Sequence, residues 1–137
     1  MSFLRSFCLV TLLALAPCSL GCSKQDPNSG QVTGVIEIDG QPAAEGAITF
    51  TPVDGNVTAS GGDIVNGRYT VKARVGPSKV SINVPKVVGQ RKVYNTPDSP
   101  MASVTEESLP PQYNEQTTLT YDVKPGPNEQ NFSLKTK

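Results

Sequence analysis

Asp39, Asp54 and Asp63 fall in or near successive turns of the sequence. Carboxylates drawn from several turns are what a hard cation such as Ca²⁺ collects, about six to eight oxygens at a time. Their spacing is not that of a calcium loop, and an Asp in a turn bonds its own backbone. No metal site is therefore expected. Glu106-Glu107 is a carboxylate pair of the kind that serves acid–base hydrolysis, but it lies in a polar stretch with no apolar pocket to raise a pKa. A solvated loop face is the expectation there. Arg91-Lys92-Val93-Tyr94 sets two cations beside an aromatic ring, a combination suited to an anionic or carbohydrate surface. Arg91, Lys92 and Tyr94 are the candidate contact residues. The 137 residues contain no His. The commonest general base is thus missing, and activation of a Ser or Cys nucleophile by His is ruled out. Neither catalytic residues nor a cofactor are expected.

Cys22 is the one residue whose surroundings specify a chemistry. Arg5 precedes an apolar run from Phe7 to Ala16 that ends at Pro17 and small residues, the order of a secretory signal. A spanning helix needs about 20 apolar residues, so this run is too short to be one. The following Ser19-Leu20-Gly21-Cys22 resembles the lipobox of bacterial lipoproteins, in which cleavage after Gly21 leaves a lipid-modified Cys22 at the new N-terminus. Ser19 and Gly21 also satisfy ordinary signal peptidase, which would release a soluble chain beginning with a free thiol. Lipidation accounts for the Cys and is the expectation. A diacylglyceryl group then holds residues 22–137 to a membrane, because two acyl chains anchor stably where one does not. Cys8 and Cys18 leave with residues 1–21, so no disulfide staples what remains. Its stability must come from a hydrophobic core.

Residues 22–30 are small and polar and read as the lipidated Cys and a flexible spacer. From Gln31 onward, short β-rich runs alternate with turn residues, which predicts one all-β domain over 31–137. Asp39-Gly40-Gln41-Pro42 marks a hairpin or corner, and Asn66-Gly67 is a strong hairpin signal because both central positions of a type I′ turn need positive φ. Tyr69, Val71 and Ala73, then Val80, Ile82 and Val84, then Leu119, Tyr121 and Val123 alternate with polar residues as half-buried strands do. Gly76-Pro77 and Pro125-Gly126-Pro127-Asn128 read as turns, and Phe132 and Leu134 as the closing strand. Residues 87–116 break the rhythm and read as a long loop. Within it Ser103-Val104-Thr105-Glu106 could cap one helical turn before Pro110-Pro111 stops it. The expectation is a single antiparallel β-sandwich of about seven strands. Acids and bases balance at 12 each, so nothing draws the chain to nucleic acid.

Val32-x-Gly34, Asp39-Gly40-x-Pro42, Gly46-Ala47-Ile48-x-Phe50 and Gly67-x-Tyr69 together resemble the carboxypeptidase regulatory-like domains. With the lipobox, Leu109-Pro110-x-x-Tyr113-Asn114 and the closing Pro125-Gly126-x-Asn128-x-x-x-Phe132-x-Leu134, nearly the whole chain is similar to short lipoproteins of planctomycete-type bacteria. The resemblance implies a transthyretin (prealbumin)-like topology and an accessory or adhesion role. Transthyretin-like hydroxyisourate hydrolases depend on His, so their activity is not implied. The expected function is a non-catalytic, lipid-anchored module of the cell envelope, facing periplasm or exterior and contacting a protein or wall polymer. Ser23 after the Cys points to the outer membrane under the familiar sorting rule. The alternatives are a carbohydrate-binding module, weakened by the absence of Trp, and a hydrolase. Mass spectrometry of the N-terminal peptide should find acyl groups on Cys22; a free thiol there would remove the anchor.

Overall fold

The computed structural model describes residues 26–55 and 58–137. The expected signal segment over 1–21, with Gly21 and Cys22, lies outside the described residues. Among the described residues the fold is all-β, with one short 3₁₀ turn at Pro111–Tyr113. The strands are β1 (Ser29–Ile38), β2 (Gln41–Pro42), β3 (Glu45–Pro52), β4 (Ser60–Val65), β5 (Arg68–Arg74) and β6 (Gly76–Asn83), followed by β7 (Pro85–Lys92), β8 (Met101–Glu107), β9 (Thr120–Val123), β10 (Gly126–Glu129) and β11 (Phe132–Leu134). The count of seven is therefore replaced by eleven shorter segments. Gly126–Glu129, read as a turn, is a strand, and two stretches of the expected long loop over 87–116, 87–92 and 101–107, are strand as well.

The main sheet runs in the order β10-β1-β5-β4-β3-β6-β9, with β2 and β11 added to the far half of β1. Antiparallel pairing holds from β1 through β9, whereas β10 and β11 lie parallel to β1. The wholly antiparallel expectation is corrected at that point. A closing segment that must return beside the first strand has only the parallel direction open, because β9 has already brought the chain to the required end.

The sheet curls until its two ends meet. β9 and β10 are joined by Lys124-Pro125, and Asn128 ties the junction: its Nδ2 donates to the Lys124 carbonyl at 2.8 Å, and its Oδ1 accepts from the Lys124 N–H at 2.9 Å. Tyr121 Oη also donates to Asn128 Oδ1, at 3.3 Å. Alternation then places one face of every long strand inside the curl. Ile36, Ile48, Phe50, Ile64, Val80, Ile82 and Val123 are buried there, and the Phe50 ring meets Tyr69 and Tyr121 with centroids 6.4 Å away in each case.

Two short turns have the backbone their residues predict. Asp39 and Gly40 take φ of 52° and 83° between β1 and β2, and Asn66 and Gly67 take 50° and 75° between β4 and β5. Positive φ at both centres is the type I′ condition. Asp39 has a second task. Its carboxylate accepts from the Thr136 hydroxyl at 2.6 Å and from the Thr136 N–H at 3.2 Å, which holds the C-terminal residues against the first corner. Those two bonds, the hydroxyl's first, keep the carboxyl below its ordinary range.

Gly34 is where the parallel strands meet β1. The crossing from β10 to β11 passes over it: the Gln130 N–H donates to the Thr33 carbonyl at 2.9 Å, and Asn131 Oδ1 accepts from the Val35 N–H at 2.8 Å. Tyr69 Oη reaches the Gln130 carbonyl at 2.7 Å. A Cβ on Gly34 would run into that carbonyl and lie 3.0 Å from the Tyr69 ring. Gly40 has open space around its Cα instead. Gly34→Ala should therefore lower unfolding stability by about 3 kcal/mol or more, against about 1–2 kcal/mol for Gly40→Ala, which meets only the left-handed backbone penalty. Urea titration of the two variants checks this, and equal losses would mean that the Gln130 carbonyl has room to retreat.

Candidate functional site

The candidate contact residues sit on a two-stranded ribbon rather than on a loop. β7 and β8 pair with each other from Pro85↔Glu107 to Lys92↔Met101, with a bulge between Val87 and Gly89. The Val93 N–H donates to the Pro100 carbonyl at 2.9 Å and extends the pairing to the tip. The helical turn expected at Ser103–Glu106 is part of β8. Period-2 reading passes over these strands because neither face of the ribbon is covered. Every residue of β7 is exposed, and β8 has only Ala102 and Val104 half-buried. Val87-Val88 and Val93-Tyr94 are β-prone pairs and the available signal, diluted by Lys, Arg, Gln and Gly between them.

Arg91 and Lys92 end β7 opposite Ala102 and Met101, and Tyr94 follows at the tip, 65% exposed. The tip is held by its own bonds. The Tyr94 N–H donates to Ser99 Oγ at 2.7 Å, and Lys92 Nζ donates to the Thr96 carbonyl at 3.3 Å. The three predicted contact residues are thus brought together and exposed, with Val93 (48%) and Met101 (54%) adding apolar surface beside them.

Glu106 and Glu107, taken as one solvated pair, separate into two roles. Glu106 stands opposite Lys86 across the ribbon. Glu107 turns back to the body: Oε1 accepts from the Val84 N–H at 2.9 Å and the Leu109 N–H at 3.0 Å, and Oε2 accepts from Asn83 Nδ2 at 3.0 Å. Ser108 closes the same junction through its hydroxyl and N–H, both donated to the Val84 carbonyl, and Leu109 drops into the core. The Glu107 carboxylate and the donors around it are the root of the ribbon.

The ribbon root lies at the end of β6. Since β1, β4 and β6 run in one direction and β3 and β5 in the other, that end is opposite the one where β1 begins. The ribbon and Ser29 therefore occupy opposite poles of the body.

Asp39, Asp54 and Asp63 do not converge. Asp39 holds Thr136, Asp54 lies in the turn after β3, and Asp63 faces outward on β4 opposite Ala47. Among the described residues no three His, Cys, Asp or Glu side chains come together as metal ligands. A shallow concavity of about 540 Å³ beside the ribbon root has Glu45, Asp63, Asn83 and Pro85 on its walls. Its ionisable groups are Glu45 and Asp63, both on its exposed wall. Of the four Tyr, Tyr69 is buried, Tyr113 and Tyr121 pack against the core, and Tyr94 alone offers an open ring.

No family model matches the sequence, and no curated protein is similar to it. Among solved structures, the crystal structure of a 9R-lipoxygenase from Cyanothece PCC8801 is similar at 12% identity and a TM-score of 0.36. The likeness covers 79% of this chain and 16% of that one, and at such a score it carries no argument about fold or activity.

The Glu107 anchor has a pH signature. Partial burial pushes its carboxyl up, but the hydrogen bonds from Val84, Leu109 and Asn83 together outweigh that and leave it below its ordinary 4.5. A carboxyl lowered on folding adds stability that is complete above the unfolded value and is lost as pH falls through the folded one. The stability gap between the native chain and Glu107→Gln should accordingly be present at neutral pH and shrink below about 4.5. Denaturant midpoints at neutral and acid pH check the sign; a gap that widens in acid would show that Glu107 does not anchor the ribbon as a carboxylate.

Proposed function

We propose that this chain is a lipid-anchored, non-catalytic protein of the cell envelope, a short lipoprotein of the carboxypeptidase regulatory-like kind with a transthyretin-like β-sandwich, and that its β7–β8 ribbon is the element that meets other macromolecules. The observation that carries this reading is the ribbon itself. It projects from the body, exposes Arg91, Lys92, Val93, Tyr94 and Met101, and is rooted by the Glu107 carboxylate, which holds its base in place. Binding residues concentrate on segments displayed by a rigid scaffold.

The placement of the ribbon supports the same reading. A tether at Cys22 enters the body through residues 23–28, a stretch that spans roughly 20 Å when extended. It joins β1 at the pole opposite the ribbon. A membrane at the first pole leaves the second facing outward, toward wall polymer or a protein partner. Outer-membrane delivery, read from Ser23, belongs to the same proposal. Hydrolysis is disfavoured because the chain has no His and Glu107, one of its two adjacent glutamates, is taken up by the ribbon root.

A photo-crosslinking residue incorporated at position 94 in intact cells should give macromolecular adducts, whereas the same residue at position 51, exposed on β3 near the Ser29 pole, should give few. Equal adducts from both positions would overturn the ribbon as the contact element.

A further inference from the structure

The two edges of the ribbon are built differently. β7 carries Pro85, the cations Lys86, Arg91 and Lys92, and the bulge at Val87/Gly89. Prolines, charges and bulges are the means by which natural sheets blunt an edge against further pairing. β8 has none of them over Met101-Ala102-Ser103-Val104-Thr105, five uncharged residues, and the extra residue of the bulge opposite Val104 and Thr105 lies on β7. Its outer edge pairs with nothing among the described residues. A two-stranded ribbon alone is marginally stable in water, and three or more strands make a self-supporting sheet. The ribbon thus carries one closed edge and one open edge that would gain from a further strand.

Backbone alternation sets what the open edge offers. Because the Val93 N–H bonds the Pro100 carbonyl, antiparallel geometry turns the groups of Ala102 and Val104 toward β7 and those of Met101, Ser103 and Thr105 outward. We propose that the strand added to this edge is β8 of a second copy, antiparallel, with the two Val104 residues on the two-fold axis. Ser103 of each copy then pairs with Thr105 of the other, and Met101 with Glu107. All four are outward-facing positions, so the hydrogen-bonding pattern closes without a shift of register.

Charge selects this pairing over the others. Across the resulting four-stranded sheet each row reads Arg91, Ala102, then Glu106 and Lys86 of the second copy. The small Ala102 lets Arg91 reach the carboxylate two strands away. The alternative, β7 against β7, would crowd Lys86, Arg91 and Lys92 of both copies into one patch, and like charges set opposite each other are destabilising. An isologous two-fold pair is also closed and does not propagate. This inference rests on the ribbon being the contact element and names its partner as a second copy of the chain.

The test uses the chain from residue 22 with Cys22→Ser, so that an introduced thiol is the only one. Sedimentation across a concentration series should show a reversible dimer. Val104→Cys should form an intermolecular disulfide on mild oxidation, since facing positions of a non-hydrogen-bonded pair bring Cβ atoms to about disulfide distance. Gln90→Cys, on the blunted strand, should not. Thr105→Pro blocks the outer edge without removing a β7–β8 hydrogen bond and should leave a monomer with an unchanged circular-dichroism spectrum. If it disturbs the ribbon, Glu106→Lys serves instead and should weaken the dimer at least about tenfold by setting like charges together. A native chain that stays monomeric, equal cross-linking at 90 and 104, or a dimer that withstands both Thr105→Pro and Glu106→Lys would overturn self-pairing. Adducts at position 94 would still stand in that case, so failure of this inference is distinguishable from failure of the contact role.

Discussion

The C-terminal chain lies parallel to β1, and it can do so because Gly34 has no side chain where the Gln130 carbonyl passes. Around that crossing the Thr33 carbonyl, the Val35 N–H and the Tyr69 hydroxyl are all satisfied by Gln130 and Asn131. The same few residues let β10 and β11 continue along β1 on either side of it. A sheet that would otherwise end in an open edge at β1 is covered there. The curl that encloses the core also follows, because β10 can reach β1 only when β9 has been brought round beside it. Burial of Phe50, Ile36 and Val123 is in this sense a consequence of one close backbone approach.

The same economy appears at the ribbon root. The excursion of 23 residues between Pro85 and Glu107 contributes no residue to the core, which is filled mainly by the strands of the main sheet together with Leu109. The excursion projects instead and satisfies its backbone by pairing with itself. Glu107 is the carboxylate that makes the departure orderly, since it accepts two main-chain N–H groups that the end of β6 and the return into Leu109 leave unpaired. Strand direction alone sets the ribbon root and the start of β1 at opposite poles of the body. No allosteric or mobile element is needed for that division.

Much of this was legible in the sequence. Alternation at Tyr69–Ala73, Val80–Val84 and Leu119–Val123 reports real half-buried faces, and Asp39-Gly40 and Asn66-Gly67 report real I′ turns, because both signals are local: a face touches water or it does not, and φ at two residues makes the turn. The absence of His and the setting of Cys22 are likewise properties of composition and adjacency. Tertiary structure alone decided the rest. β7 and β8 are covered on neither face, so no periodicity betrays them. Gly126–Glu129 is short and rich in turn residues, and it is a strand only because β1 lies alongside. Glu107 resembles its neighbour Glu106 in every local respect, and what separates them is the arrival of Val84 and Leu109 from either side. Sequence determines which faces want burial and which bonds can turn; which distant backbone comes to lie against them is settled only when the chain has closed on itself.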